Sequence, residues 1–160
     1  MTDAGGADNL WDAGLRSHPL SQQVYLNLTR VHEALQAGVN KLCKSYGLSP
    51  FQYNVLRILR GAGPEGLPSR AIGDRMLHRV PDITRLIDRL EAAGLVVRRR
   101  STTDRRVVRV CLARKALELL ASIDSPLLAL HEEYLRHLAE DELDQLNRML
   151  LKLQQGIAAS

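Results

Sequence analysis

The sequence predicts a mainly α-helical fold interrupted by one small β-hairpin. Three observations predict it. Apolar residues fill 45% of the 160 positions but aromatics only 4%, so the core is aliphatic and rich in leucine, a good helix former. Apolar residues recur at spacings of three and four through most of the chain. Only between residues 95 and 112 does the period change to two, in "LVVRRR" and "VVRVCL" around the polar "STTDRR", which is a hairpin pattern.

Residues 1–16 contain glycines, aspartates and little periodicity, and read as a flexible N-terminus. A helix over 17–46 follows. Val24, Leu28, Val31, Leu35, Val39, Leu42 and Tyr46 form one apolar stripe, which Gly47 ends. "SPFQ" at 49–52 opens the next helix, with Ser49 as N-cap, Pro50 at the first helical position and Gln52 closing a capping box. Val55, Leu56, Ile58 and Leu59 supply its buried side before "GAGPEG" breaks it. A short helix is expected over Ser69–Leu77 and another over Pro81–Ala93, with Ile83, Leu86, Ile87 and Leu90 inward and Gly94 as the stop. After the hairpin the helical period resumes from Leu117 to Leu138, with Pro126 predicting a kink or a break. "AEDELDQLNRMLLKL" forms the last helix, its first turn acidic as the helix dipole favours.

Helices followed directly by a hairpin make a winged helix-turn-helix over residues 47–112. Long helices flank it at 17–46 and 113–156, and they carry more apolar surface than so small a core can cover. Pairing of two copies through those ends is therefore expected, making them dimerisation helices. The net charge of +4 is unevenly spread. Residues 69–114 hold twelve arginines against five acids, whereas 115–160 hold four bases against eight acids. A basic middle on a neutral to acidic scaffold is the footprint of a polyanion-binding module.

Other classes find little support. The N-terminus lacks the basic start, apolar stretch and cleavage pattern of a secretory signal, and no apolar run approaches the length of a membrane span. Cys43 and Cys111 have neither zinc-site nor redox-pair spacing, so a reduced, cytoplasmic protein without cofactor is expected, with both thiols structural. "HEEYLRH" (131–137) sets Glu133 and His137 four apart near His131, but supplies no third ligand at helical spacing. A solvated helix face is the reading preferred over a metal site. No phosphate-binding glycine loop or nucleophile elbow is present, and His78, Ser101 and Asp104 share no triad arrangement. The chain does not read as an enzyme.

The basic region also carries specific motifs. "ITRLIDRLEAAGLVVR" and "DRRVVRVCL" resemble the recognition helix and wing of the MarR (multiple antibiotic resistance regulator) family, and with the flanking helices the resemblance covers about residues 20–155. It implies a dimeric winged-helix regulator of transcription, usually a repressor, whose spacing on DNA a small ligand alters. The chain departs from the pattern after the wing, where Leu112-Ala113 replaces the usual Leu-Thr. Without that hydroxyl cap the next helix is expected to fray, by about 1 kcal/mol.

The candidate DNA-binding set is Ser69, Arg70, Arg79, Pro81, Asp82, Thr84, Arg85, Arg89, Arg98, Asp104, Arg105 and Arg106. Arg85 is the leading base reader, since arginine pairs bidentately with guanine O6 and N7. Asp82 either accepts from a cytosine amino group or orients a neighbouring arginine. Asp104 and Arg106 are two apart in extended chain, so the carboxylate can brace the guanidinium. The resemblance implies that a wing arginine enters the minor groove, with Arg106 first and Arg105 in reserve. Arg98, Arg100 and Arg109 neutralise phosphates or face water, and alternation places Val108, Val110 and Leu112 on the apolar side of the wing. Tyr25, His32, Tyr53 and Arg57 are candidate ligand-pocket residues, with ordinary core roles as the plainer alternative. Two other readings stay open: a thiol or metal sensor of the same fold, and a member that has lost DNA binding.

Overall fold

A computed structural model of the chain describes residues 18–77, 80–100 and 106–159. The described elements are α1 (Leu20–Ser45), α2 (Pro50–Ala62), α3 (Ser69–Gly73), α4 (Ile83–Ala92), β1 (Val96–Arg100), β2 (Val108–Leu112), α5 (Arg114–Leu135) and α6 (Glu140–Ala158). The chain divides into two units, Met1–Gly38 and Val39–Ser160. In the first, Leu20, Val24, Tyr25 and Val31 are exposed along α1.

The second unit holds the core. The last turns of α1 belong to it: Cys43 is fully buried, and Val39, Leu42 and Tyr46 pack against the cluster. Leu56 and Leu59 of α2, Ile72 of α3, Ile87 and Leu90 of α4, and Leu120 and Ile123 of α5 are sealed from solvent. α2 starts as its sequence dictates. Ser49 Oγ accepts from the Gln52 amide at 3.2 Å, and Gln52 Oε1 accepts from the Ser49 amide at 2.8 Å, closing the box around Pro50.

The two short helices are shorter than their patterns suggest. α3 ends at Gly73 and continues as tight turns, Arg75 N to Ile72 O and Met76 N to Gly73 O. The Leu77 amide is then taken by Asn54 Oδ1 at 3.2 Å, so it does not prolong the helix. α4 begins only at Ile83, because Asp82 is its N-cap and accepts from the Arg85 amide at 2.9 Å. Pro81 thus lies outside the helix.

At its far end α4 closes with a Schellman arrangement. The Leu95 amide reaches Leu90 O at 2.9 Å and the Gly94 amide reaches Glu91 O at 2.9 Å. Gly94 takes φ 70° there, a conformation that a side chain disfavours. This turn sends the chain straight into the hairpin. β1 and β2 are antiparallel, with Val96 opposite Leu112, Arg98 opposite Val110 and Arg100 opposite Val108. Leu67 adds an isolated bridge to Val110, its amide donating to Val110 O at 3.0 Å. The backbone comes so close at Gly66 that an added Cβ would stand 2.1 Å from Val110 O.

The wing's burial corrects the simple alternation expected for it. Val110 is buried, but Val108 is 47% exposed at the outer end, and Cys111 on the opposite face is buried. The segment at 65–67 covers that opposite face: Cys111 Sγ lies 3.6 Å from Glu65 O. The hairpin is therefore packed on both sides at its base and exposed at Val108.

α5 also departs from expectation at two points. Ala113 provides no side-chain cap, yet the helix starts at Arg114. Its first turn is held because the Ala113 amide is tied to Leu95 O at 3.0 Å while its carbonyl accepts from Ala116 and Leu117. Pro126 lies inside α5 without ending it. Proline removes the amide that would bond to the carbonyl four residues back, here Ser122 O. That carbonyl accepts instead from the Tyr46 hydroxyl at 3.1 Å. Arg60 of α2 adds a two-pronged pair to Asp124 of α5, at 2.7 and 2.8 Å. α6 has no buried residue: Met149, Leu150, Leu153 and Ile157 are all exposed.

Candidate nucleic-acid interface

α4 divides cleanly into two sides. At about 100° per residue, Ile83, Leu86, Ile87 and Leu90 fall together and are buried or half-buried, whereas Thr84, Arg85, Asp88 and Arg89 fall together and are exposed. Burial of the apolar stripe sets the helix rotation, and so decides which residues look outward.

Asp82 is held against a neighbouring arginine. One carboxylate oxygen caps the helix through the Arg85 amide, and the other lies 3.1 Å from Arg85 Nε. Arg85 is thus aimed by its own cap while its side chain remains 80% exposed. Among the described residues none engages its two Nη atoms, the pair that can meet a guanine edge or a phosphate. Arg89 and Pro81 are exposed, Arg70 is exposed on α3, and Ser69 is half-buried at its start.

Two arginines in the wing have partners that sequence reasoning did not foresee. Arg98, expected to neutralise a phosphate or face water, lies between two acids of α4. Its Nη2 is 2.5 Å from Asp88 Oδ1, its Nη1 pairs with the Glu91 carboxylate, and its amide donates to Glu91 Oε1 at 3.2 Å. The Asp88 hydrogen bond, with Glu91 behind it, pushes the guanidinium further above its ordinary range. The signal was present. Val96 is inward, so Arg98 two residues on shares its face, and Asp88 and Glu91 are neighbours at i,i+3. Arg109 donates to Glu65 O at 2.9 Å and to Gly66 O at 3.0 Å, pinning β2 to the preceding segment.

Arg99, Arg100 and Arg106 are exposed. Arg79, Asp104 and Arg105 lie outside the described residues, and with them the expected bracing of Arg106 by Asp104. Of the ligand-pocket candidates, Tyr53 and Arg57 stand together: Arg57 Nη1 donates to the Tyr53 hydroxyl at 3.0 Å and its guanidinium centre is 5.9 Å from the ring centroid. Tyr25 and His32 are exposed on α1.

The remaining chemistry is quiet. Cys43 and Cys111 are buried and free, and burial pushes the Cys43 thiol up, away from the thiolate that reactivity requires. Glu133 pairs with Arg136 at 3.3 Å, and no group of three or more His, Cys, Asp or Glu among the described residues could hold a metal ion. No described helix is long and apolar enough to cross a membrane.

A helix with an outward basic face, followed by a hairpin fastened to it, defines a winged helix-turn-helix protein. The chain belongs to the MarR family of transcriptional regulators. A sequence profile of the MarR family matches residues 46–107. The HTH-type transcriptional regulator MhqR of Bacillus subtilis is 31% identical over 133 residues, 83% of this chain and 90% of that protein. Among solved structures, a MarR transcription factor from Planctomyces limnophilus is 44% identical, with a TM-score of 0.64 over 83% of this chain and 96% of that one. CouR of Rhodococcus jostii, solved bound to p-coumaroyl-CoA, is 28% identical, with a TM-score of 0.72 over 86% of this chain and 95% of that one. Proteins of this family regulate transcription and are not enzymes.

Proposed function

We propose that the chain is a cytoplasmic, sequence-specific DNA-binding repressor that acts as a homodimer on a pseudopalindromic operator. The observation that carries this reading is the exposed basic face of α4, with Arg85 aimed by Asp82, followed by a hairpin bearing the exposed Arg99, Arg100 and Arg106. α4 enters the major groove, where Arg85 and Thr84 meet base edges. The wing reaches the adjacent minor groove with Arg106, where narrow grooves concentrate negative potential. Arg70, Arg79, Arg89 and Arg105 contribute phosphate contacts, and Ser69 at the start of α3 a backbone hydrogen bond.

The exposed apolar edge of α6, Leu150, Leu153 and Ile157 at helical spacing, supports pairing of two copies. Two-fold pairing sets half-sites about 10 base pairs apart or a multiple of that spacing. A small organic ligand modulates binding; the relative solved with p-coumaroyl-CoA supports that class of effector. Arg57, positioned by Tyr53, is the cation offered to an anionic ligand of this kind.

The test is selection of duplexes from a randomised library by the purified chain, followed by affinity titration at several salt concentrations. A two-fold symmetric consensus and a linear fall of log affinity with log salt are expected. Recovery of no sequence, or affinity indifferent to salt, overturns the reading.

A further inference from the structure

We propose that Arg98 is a positioning residue for DNA recognition: it clamps the wing onto α4, so that helix and hairpin enter neighbouring grooves as one unit. The proposal rests on the DNA-binding reading and deepens it. Arg98 stands in the middle of β1, opposite the fully buried Val110. Opposed residues in an antiparallel pair share a face, so this arginine projects from the apolar side of the hairpin. A cation there needs partners, and α4 supplies two, one helical turn apart.

The geometry of the clamp is demanding. The side chain spans from Asp88 to Glu91, and the amide of the same residue donates to the second oxygen of Glu91. Glu91 therefore holds both the main chain and the side chain of Arg98, which fixes the course of β1 as well as the rotamer. A planar guanidinium can bridge two carboxylates in this way, whereas a lysine ammonium is a single point charge. β2 is pinned separately, by Arg109 to the carbonyls of Glu65 and Gly66. The two strands are thus fastened to two different parts of the core, and Arg98 fastens the hairpin by polar contacts to the helix that reads DNA.

Charge points the same way. Asp88 lies on the outward face of α4 beside Arg85 and Arg89, where DNA phosphates would approach. Arg98 offsets Asp88 and Glu91 together, and without it two carboxylates would repel the duplex. Its side chain is 29% exposed, against 80% for Arg85, so its commitment is to the helix and not to solvent.

The test compares Arg98→Ala, Arg98→Lys, Glu91→Ala and the Arg98→Ala/Glu91→Ala double variant, each full length, on a duplex selected by the unaltered chain. Clamping predicts about ten-fold weaker binding for all three single variants and little further loss in the double variant, because one interaction is being removed. It also predicts loss of the wing's minor-groove protection from hydroxyl radicals, with guanine N7 protection from dimethyl sulfate retained under α4. A phosphate-contacting Arg98 predicts the opposite pattern: Lys preserves affinity, and Glu91→Ala frees the cation and tightens binding. Either of those two results overturns the proposal. Glu91→Ala places a strong helix former in α4, so the comparison survives even if Arg98→Ala does not fold. Should the unaltered chain select no duplex, the DNA-binding reading falls and the proposal with it, an outcome distinct from a selected duplex on which Arg98→Lys and Glu91→Ala bind normally.

Discussion

Asp82 shows how much one residue can organise. Its carboxylate caps α4 and also holds Arg85 Nε, so the Arg85 side chain, proposed above to read a base, has already lost part of its rotamer freedom. That pre-organisation lowers the entropy penalty of binding. Arg85→Ala is expected to relax base preference at one position per half-site, by about 1–3 kcal/mol, read by competition among duplexes varied at that position. Arg106→Ala is expected instead to weaken all duplexes and to reduce the salt slope by roughly one; unchanged affinity across salt concentrations would remove the wing from the interface. Gly66 is decisive for a different reason. It combines φ 62° with a backbone approach that leaves no room for a Cβ. Gly66→Ala should therefore destabilise the chain by about 2 kcal/mol or more, seen as a lowered thermal midpoint.

Among the elements, α5 illustrates how tertiary contacts override a local rule. A proline in mid-helix predicts an interruption, yet Tyr46 supplies the hydrogen bond that Pro126 cannot. Two residues before Pro126, Arg60 grips Asp124, and its hydrogen bonds hold the Asp124 carboxyl below the usual carboxylate range. The folded chain therefore binds this proton more weakly than the unfolded chain does. The pair's stabilisation is present above the ordinary carboxylate pKa, roughly 4, and is lost as the pH falls through the lower folded value. Asp124→Asn should reduce stability at neutral pH by about 1 kcal/mol or less, since both partners are partly exposed. The difference from the unaltered chain should shrink as denaturation is measured at progressively more acid pH. A difference that grows towards acid would contradict this account.

For the whole molecule, the surface that bears on assembly is α6. α6 buries none of its residues, yet carries Leu150, Leu153 and Ile157 on one edge, a pattern that wants a partner surface. Leu153→Glu is expected to shift the chain from dimer to monomer in light scattering and to weaken operator binding far more than half-site binding. The loss follows because two linked recognition helices bind with an effective local concentration that separate monomers lack. A chain that is already monomeric without the substitution would sink the dimer argument.

Much of this was legible beforehand. The capping box at Ser49, the apolar stripe of α4, the stop at Gly94 and the switch to period two are local signals, because each depends on residues within one or two turns. They determine the order of elements and the outward residues of α4. What they could not determine is which arginines are committed to partners within the fold. Arg98 and Arg85 are both arginines in a basic stretch, and their fates separate only when β1 folds back beside α4 and brings Arg98 against Asp88 and Glu91. In the same way, Cys111 becomes buried because residues 65–67 cover its face of the hairpin at the base, while Val108 on the other face is exposed at the outer end. Pairing across the fold, with charge desolvated by burial and answered by a specific partner, is what the tertiary structure alone decided.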